Sequence, residues 1–235
     1  MTPALAAPDR VQLVIPCRDE EAALPALLAG VPPAWAVIVV DNGSSDRTAE
    51  VARGAGATVI SEPRPGYGAA VDRGVRAATR EIVVVLDGDG SIKPTDLADL
   101  VDLVGSGEAD LCCGARRPVD RSAWPAHARL GNRVLAATLS LCLGMELHDI
   151  APVRVARREA LVELGVTDRR FGYPLEVLLR ARAAGWRIIE RPVAYHPRDG
   201  GRSKVTGSVR GTLRALRDFT GVLIAHRALL RRRHR

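Results

Sequence analysis

The chain has 235 residues, 47% of them hydrophobic, and a formal net charge of +7. This length and apolar fraction suffice for one large globular domain. Because only three Trp, three Tyr and two Phe could stack on bases, we expect no nucleic-acid partner despite the positive charge. No apolar stretch is long enough to span a bilayer, and residues 1–10 do not resemble a signal peptide, which predicts a cytoplasmic protein. The four cysteines lack Cys-x-x-Cys spacing and predict buried thiols rather than a disulfide framework or a zinc site.

Strand-like apolar runs alternate with helical patterns through the first half of the chain. We predict strands at 11–15, 35–40, 58–61, 82–86 and 109–114. Helices are expected between them, at 20–29 with Asp19 as its cap, 46–53, 68–79 and 94–104. This alternation predicts an α/β fold whose mainly parallel sheet is flanked by helices on both faces.

The second half has a looser pattern. We predict helices at 130–143, 157–164 and 174–184, a strand at 187–192, and a basic, glycine-rich loop at 198–207. A terminal amphipathic helix is expected over 208–235. Such a helix most often packs on its own domain, although its basic end could also lie on an anionic membrane face.

Two carboxylates, Asp87 and Asp89, directly follow the aliphatic run 82–86. Ligands of open α/β sheets bind beyond the carboxyl ends of such strands, and side chains two residues apart can point the same way. Carboxylate oxygens suit Mg²⁺ or Mn²⁺, which are often shared with substrate phosphates. The alternative is a polar turn. A calcium EF-hand loop is excluded, because its glycine and closing glutamate positions hold Ile92 and Ala98.

Four N-terminal motifs in this order resemble the family 2 glycosyltransferases of the GT-A fold. They are Ile-Pro-Cys-Arg-Asp-Glu-Glu at 15–21, Val-Asp-Asn-Gly-Ser-Ser-Asp-Arg-Thr at 40–48, Gly-Tyr-Gly-Ala-Ala at 66–70 and Leu-Asp-Gly-Asp at 86–89. The resemblance implies a nucleotide-sugar donor, with the nucleoside near Pro16, Cys17, Glu20 and Asp41. It places the diphosphate and metal near Asp87, Gly88 and Asp89.

Three details of these motifs leave alternatives open. Asp41 and Asp46 could also cap a helix or turn. Asn42 stands where the family usually has a second Asp, which leaves the nucleotide base open. Gly66 and Gly68 could belong to a dinucleotide fingerprint, but its third small residue is Val71 here, so we favour glycines that let the donor diphosphate approach a helix start.

Segments of the second half resemble the polyprenyl-phosphate (dolichyl-phosphate) mannose and glucose synthase branch of that family. They are Gly-Ala-Arg-Arg at 114–117, His-Asp-Ile-Ala-Pro-Val-Arg at 148–154, Tyr-Pro-Leu-Glu at 173–176, Glu-Arg-Pro-Val at 190–193 and Gly-Gly-Arg-Ser-Lys at 200–204. The branch usually has Ser-Gly where Ala151 and Pro152 stand. The resemblance implies a polyprenyl-phosphate acceptor and peripheral contact with the inner face of the cell membrane.

With a phosphate acceptor, the basic residues could bind the phosphate groups of donor and acceptor, because one guanidinium group can donate two parallel hydrogen bonds to phosphate oxygens. The candidates are Arg116, Arg129, Arg154, Arg198, Arg202 and Lys204, each of which could instead be a solvated surface charge. Asp149 and Glu176 are candidates to orient the acceptor or sugar or to act as a base. The alternative for both is a buried carboxylate paired with an arginine.

With the acids Asp87 and Asp89, the resemblance implies a metal-dependent glycosyltransferase that moves a sugar from a GDP- or UDP-sugar to a polyprenyl-phosphate-like acceptor. Inversion at the anomeric carbon is what the resemblance to the family implies. We expect a catalytic domain at 1–210, with a donor and metal half at about 11–115 and an acceptor half at about 116–210, followed by a basic helix at 211–235. The alternatives are a glycosyltransferase with a soluble hydroxyl acceptor, a nucleotidyltransferase and a non-catalytic nucleotide-sugar-binding module.

Overall fold

The computed structural model describes residues 8–120, 123–124, 126–198 and 209–226. Its strands are β1 (Val11–Cys17), β2 (Ala36–Asp41), β3 (Thr58–Ser61), β4 (Ile82–Val85), β5 (Leu111–Pro118), β6 (Val153–Arg157) and β7 (Ile188–Tyr195). Its helices are α1 (Leu24–Ala29), α2 (Thr48–Gly54), α3 (Tyr67–Ala77), α4 (Ala98–Gly105), α5 (Ala126–Leu143), α6 (Arg158–Glu163), α7 (Tyr173–Ala183) and α8 (Val209–Ala225). Short 3-10 turns at Pro8–Arg10 and Pro94–Leu97 precede β1 and α4.

The seven strands form one sheet in the order β3-β2-β1-β4-β6-β5-β7. β1 pairs in parallel with β2 and β4, β2 with β3, and β5 with β7. Only β6 runs antiparallel to its neighbours, β4 and β5. The prediction of a mainly parallel sheet flanked by helices is therefore confirmed, and both halves of the sequence contribute to one sheet.

Strand β6 was absent from the sequence prediction. Its five residues include two arginines, Arg154 and Arg157, which do not resemble the apolar run of a central strand. The structure nevertheless buries Arg154 to 3% exposure at the centre of the sheet. A buried charge in a central strand is costly unless it has a partner, so this position is a candidate for function.

Apolar side chains cover both faces of the sheet. On one face, Leu13 and Ile15 of β1 pack with Leu24, Leu97 and Leu100 of the α1 and α4 region. On the other, Val14 packs with residues of α3 and α7, including Val71, Val75, Leu175 and Leu178. A Cβ on Gly74 would lie 2.4 Å from Cγ1 of Val14, so this glycine permits the close approach of α3 to β1. The strand ends that carry the polar motifs are thus held by a rigid core.

Element boundaries differ from the prediction at both ends of the chain. The predicted cap Asp19 is wrong: α1 begins at Leu24, and Asp19 adopts a left-handed φ of 54°. One Asp19 carboxylate oxygen accepts hydrogen bonds from the backbone N–H and hydroxyl of Ser45, 2.7 and 3.0 Å away. Asp19 therefore links the loops after β1 and β2. The terminal helix α8 ends at Ala225, and the predicted basic end at 227–235 lies outside the described residues.

No helix within the described ranges is both long and apolar enough to cross a membrane.

Candidate active site

A cavity of about 820 Å³ opens beyond the carboxyl ends of β1, β2 and β4. Seven of the predicted site residues line it: Pro16, Cys17, Glu20, Asp87, Gly88, Asp89 and Arg198. The parallel register of β1, β2 and β4 brings their carboxyl ends to one edge, which is why motifs far apart in sequence meet here.

Asp89 lines this cavity and is 4% exposed. One of its oxygens accepts hydrogen bonds from the backbone N–H and hydroxyl of Ser91, at 3.0 and 2.5 Å. Its other oxygen lies 2.9 Å from Nη2 of Arg198. The carboxylate is therefore held in a fixed orientation. One of its oxygens contacts Ser91, and the other faces the positive charge of Arg198.

Asp87 accepts a hydrogen bond from the hydroxyl of Tyr67. Its Oδ1 atom is buried and has no hydrogen-bond partner in the described part of the chain. Burial and the neighbouring charge of Asp89 raise the pKa of Asp87 to about 6, while Arg198, Arg154 and the Tyr67 hydrogen bond oppose that shift. Burial also raises the pKa of Tyr67 well above its usual value, and the charge of Asp87 raises it further.

The two carboxylates fit a divalent cation. A buried carboxylate oxygen without a donor is costly unless something binds it, and Mg²⁺ typically takes one or two carboxylates together with phosphate oxygens and water. Within the described ranges, no group of three or more His, Cys, Asp or Glu side chains surrounds one point. Asp87 and Asp89 are thus the residues that would hold Mg²⁺ or Mn²⁺.

Gly88 is needed for packing beneath these acids. A Cβ at this position would lie 2.7 Å from Sγ of Cys17 and 3.2 Å from Cγ2 of Ile15. Cys17 is 2% exposed, so its thiol packs under the turn that carries Asp87 and Asp89 and also lines the cavity. Cys112 and Cys113 are also buried free thiols, as predicted, and burial raises the pKa of Cys113 to about 12.

Asn42 shapes the side of the cavity where the family usually has an Asp. Its amide nitrogen donates to the backbone carbonyls of Glu62 and Arg64 at 2.8 and 2.7 Å, and its oxygen accepts from Gly66 N–H at 2.8 Å. A carboxylate cannot donate, so the amide is required for this arrangement. Asp41 lies outside the cavity lining and accepts a hydrogen bond from Ser44 N–H at 3.0 Å.

The interpretation of the glycines at the start of α3 is corrected. The backbone N–H groups of Gly68 and Ala69 donate to the carbonyls of Arg170 and Arg169, at 3.1 and 3.0 Å. A Cβ on Gly66 would lie 2.1 Å from Arg169 O, and one on Gly68 would lie 2.6 Å from the carbonyl oxygen of residue 168. Both glycines therefore admit the 168–170 loop, and Gly66 lies in the cavity lining whereas Gly68 lies outside it.

Arg116 and Asp149 form a buried pair on the side of β5. Arg116 donates through Nε and Nη2 to the two Asp149 oxygens, at 2.8 and 2.6 Å, and through its backbone N–H at 2.9 Å. The guanidinium lies 4.0 Å from the ring centroid of Trp124. Burial alone would lower the pKa of Arg116, but the Asp149 hydrogen bond and charge raise it above the usual value. Neither residue belongs to the cavity lining.

Glu176 is fully buried and has several hydrogen-bond donors. It accepts from the backbone N–H groups of Thr167 and Asp168, from the Thr167 hydroxyl, and from Nε of Arg180 at 2.6 Å. Burial would raise the pKa of Glu176, but these hydrogen bonds hold it below the usual value. Nε2 of His226, which directly follows α8, lies 3.2 Å from the same carboxylate. Glu176 therefore fixes the 167–168 turn and meets α8.

The remaining predicted phosphate ligands are dispersed. Arg154 donates to Ile150 O at 2.8 Å, its Nε is buried without a partner among the described residues, and its charge acts on Asp87. Arg129 is exposed on α5, outside the cavity lining. Arg202 and Lys204 lie outside the described residues.

Several cavity residues were not predicted as site residues, among them Tyr67, Arg170, Phe171, Arg217 and Asp218. The Asp218 side chain is 6% exposed, and its Oδ2 is buried without a hydrogen-bond donor in the described part of the structure. Four residues later, on the same face of α8, Val222 packs on Gly172, where a Cβ would lie 2.4 Å away. The packing of α8 thus brings Asp218 to the cavity. No local sequence pattern marks Asp218 as a cavity residue, because its position depends on how α8 packs.

The description "Glycosyl transferase family 2" belongs to the family model that matches residues 12–165. The chain is 54% identical over 215 residues to an uncharacterized glycosyltransferase of Mycobacterium tuberculosis, covering 92% of this chain and 98% of that protein. It is 34% identical over 196 residues to the dolichyl-phosphate hexose transferase of Haloferax volcanii, covering 82% of this chain and 85% of that protein.

The fold is similar to that of glucosyl-3-phosphoglycerate synthase from Mycobacterium tuberculosis, a GT-A glycosyltransferase solved in complex with Mg²⁺ and UDP. The TM-score is 0.75 at 24% sequence identity, over 94% of this chain and 82% of that one. The sequence match, the mixed sheet and the paired acids at its edge lead to one conclusion: the chain belongs to glycosyltransferase family 2 and is a glycosyltransferase with the GT-A fold.

Proposed function

We propose that this enzyme transfers a sugar from a GDP- or UDP-sugar to a polyprenyl-phosphate-like acceptor, with inversion, using Mg²⁺ or Mn²⁺ at Asp87 and Asp89. The observation that carries the proposal is the buried, unpartnered Asp87 oxygen close to Asp89 in the cavity. A cation bound there would offset the negative charge of the donor diphosphate and of the departing nucleoside diphosphate.

The donor half of the site would use residues from β1, β4 and the loop that Asn42 holds. Pro16, Cys17 and Glu20 line the wall beside the metal pair and would contact the nucleoside, with Asp41 behind them. Arg170, Arg198 and Arg217 reach the same cavity and would bind phosphate oxygens, since guanidinium groups keep their charge and offer paired donors.

The sugar would lie near Asp218. Nη2 of Arg217 lies 3.4 Å from Oδ1 of Asp218, but Oδ2 is buried without a hydrogen-bond donor among the described residues. Such an oxygen needs hydrogen bonds, and sugar hydroxyls provide them whereas ionised phosphate oxygens do not. Asp218 lies in the same cavity as the metal pair. We therefore assign Asp218 to a hydroxyl group of the substrate, and expect it to bind the sugar in the correct orientation.

The acceptor assignment rests on chemistry and on a relative whose name includes dolichyl phosphate. A phosphate monoester is already anionic at neutral pH, so its attack on the anomeric carbon needs no base. Arg198, with Arg202 and Lys204 of the following loop, would bind that phosphate. Asp149 and Glu176 would position Arg116 and the 167–168 turn, because both already accept several hydrogen bonds from those groups.

A soluble hydroxyl acceptor is the second candidate. The structural neighbour glucosyl-3-phosphoglycerate synthase was crystallised with phosphoglyceric acid, a soluble compound. A hydroxyl nucleophile needs a base, and Asp218 is a cavity carboxylate with a free oxygen within the described part of the chain. In this case Asp218 would accept the acceptor proton instead of a sugar hydrogen bond.

The two halves of the catalytic domain would bind different substrates. Residues at about 11–115 would form the donor and metal half and those at about 116–210 the acceptor half, with the basic helix 211–235 beyond them. The enzyme would work in the cytoplasm, at the inner face of the cell membrane, where a polyprenyl phosphate presents its charged end.

The test is a panel of GDP- and UDP-sugars with Mg²⁺ or Mn²⁺, with and without polyprenyl phosphate, read out by mass spectrometry of the lipid product. We expect one donor to give a glycosyl phospholipid, and chelation of the metal to abolish it. Asp89→Asn should abolish transfer, whereas Asp99→Asn, an exposed acid on α4, should not. Transfer only to soluble hydroxyl compounds would contradict the lipid acceptor, and full activity without metal would contradict the metal site.

A further inference from the structure

The outward face of α5 carries a stripe of exposed apolar side chains. Leu130, Val134 and Leu141 are spaced by four and seven residues, which places them on one side of the helix. They are 63%, 60% and 83% exposed. The described part of the chain has five large hydrophobic residues that are more than half exposed, and three of them lie on this one helix face. Their concentration indicates a surface rather than scattered exposure.

The opposite face of α5 is also apolar. Ala136, Leu139 and Leu143 are buried against the domain. A helix at the surface of a globular protein normally presents a polar outer face, so an apolar stripe on the outer face is unusual. The outer stripe of α5 is therefore expected to be covered in the working protein.

The charges on α5 indicate what covers it. Arg129 and Arg133 are exposed and run beside the apolar stripe, one turn apart. The 18 residues of α5 include no Asp or Glu. An apolar stripe flanked by basic residues is the pattern of a helix that lies in the headgroup region of an anionic bilayer, with its apolar side chains toward the acyl chains.

We propose that the outward face of α5, formed by Leu130, Val134 and Leu141 with Arg129 and Arg133, docks on an anionic membrane surface. None of these five residues lines the cavity. In this arrangement Arg129, which does not line the cavity, would contact lipid headgroups.

The same helix is connected to the acceptor side of the enzyme. Oδ1 of Asn132 on α5 accepts hydrogen bonds from Nη2 of Arg116 at 3.2 Å and from Ile150 N–H at 3.3 Å. Docking through α5 would therefore place the Arg116–Asp149 pair close to the bilayer surface. This connection to catalysis rests on the proposed lipid-phosphate acceptor, whereas the docking itself does not.

Co-sedimentation of the full chain with vesicles tests the docking, using phosphatidylcholine alone or mixed with phosphatidylglycerol. The vesicles contain no polyprenyl phosphate and the buffer no donor, so the result is independent of transferase activity. We expect binding to the anionic vesicles only. The double variant Leu130→Ser/Leu141→Ser should bind these vesicles at least about tenfold more weakly than the wild type, since two apolar side chains no longer enter the bilayer.

Val119→Ser is the matched control, because Val119 is 51% exposed outside both α5 and α8 and should not alter vesicle binding. Thermal unfolding of each variant verifies that it is folded, and transfer to a short-chain, soluble prenyl phosphate should stay at the wild-type level in the Leu130/Leu141 variant. Undiminished vesicle binding by that variant would overturn the proposal. So would a wild-type dimer in light scattering that the variant converts to a monomer, because the stripe would then join two copies of the chain.

Discussion

The guanidinium of Arg198 lies 2.9 Å from a carboxylate oxygen of Asp89, so a cation of the protein already neutralises one of the two proposed metal ligands. A metal ion and Arg198 would compete for this oxygen while no donor is bound. When the donor diphosphate arrives with its metal, Arg198 would be released to bind phosphate oxygens in the same cavity.

Arg198→Gln should therefore change two measurements in opposite directions. The affinity for Mn²⁺ alone should rise by about threefold to tenfold, because a positive charge next to the site is removed. The kcat/KM for transfer should fall by about a hundredfold, because the variant loses a guanidinium that donates hydrogen bonds to phosphate oxygens. Calorimetric titration and steady-state kinetics measure the two effects, with exposed Arg53→Gln on α2 as the control. A parallel loss of Mn²⁺ binding would contradict the competition.

Asn42→Asp should destabilise the enzyme even though the family usually has Asp at this position. The change removes both donors to the carbonyls of Glu62 and Arg64 and brings a negative charge toward them. We expect the free energy of unfolding to fall by about 2 kcal/mol or more. Urea denaturation measures this, and wild-type stability would show that the amide does not hold the loop.

Glu176→Gln separates a structural from a catalytic role for this carboxylate. The hydrogen bonds that Glu176 accepts lower its pKa below the usual 4.5, so its ionised form stabilises the folded state above that pH. This contribution is lost as the pH falls through the lowered pKa. The variant should be about 2 kcal/mol less stable at pH 7, and the difference should shrink below pH 4.5.

The activity of the same variant completes that test. If Glu176 only positions the 167–168 turn, kcat measured on the folded enzyme should fall no more than about tenfold, because no proton transfer is lost. A loss of kcat by several orders of magnitude at unchanged stability would instead identify Glu176 as a base.

Asp218→Asn should make the enzyme more stable and a weaker binder of its donor. Oδ2 of Asp218 is buried without a hydrogen-bond donor in the described part of the chain, so removing the carboxylate charge should raise the free energy of unfolding by about 1 kcal/mol. Loss of its hydrogen bond to a sugar hydroxyl should raise the KM for the donor by about tenfold, with a smaller change in kcat. Asp99→Asn on α4 is the control, and an unchanged KM would contradict a sugar contact. A large fall in kcat instead would favour the soluble hydroxyl acceptor.

The sequence predicted the parts of the fold and site that depend on local patterns. The aliphatic run of β4, followed by Asp87 and Asp89, indicated both a buried strand and a cluster of acids at its end. Strand β6 could not be predicted from its sequence, because Arg154 is buried only through its neighbours in the sheet. Family motifs supplied the identity of the fold that periodicity alone left open.

Contacts between distant segments account for the rest. Asp19 precedes a helix and resembles a cap, but Ser45, 26 residues away, provides its hydrogen bonds. Gly66 and Gly68 resemble phosphate-loop glycines, yet a loop a hundred residues later fills the space beside them. Asp218 reaches the cavity only because α8 packs on Gly172. None of these pairings has a local signature, since each is fixed by tertiary packing.

Binding of Mn²⁺ in the presence of UDP or GDP, followed by electron paramagnetic resonance, tests the central claim most directly. With the preferred nucleotide, the account predicts that Asp87→Asn and Asp89→Asn each weaken Mn²⁺ binding by about tenfold or more. Asp99→Asn should bind as the wild type does. Equal Mn²⁺ binding by all four proteins would contradict a metal site at Asp87 and Asp89.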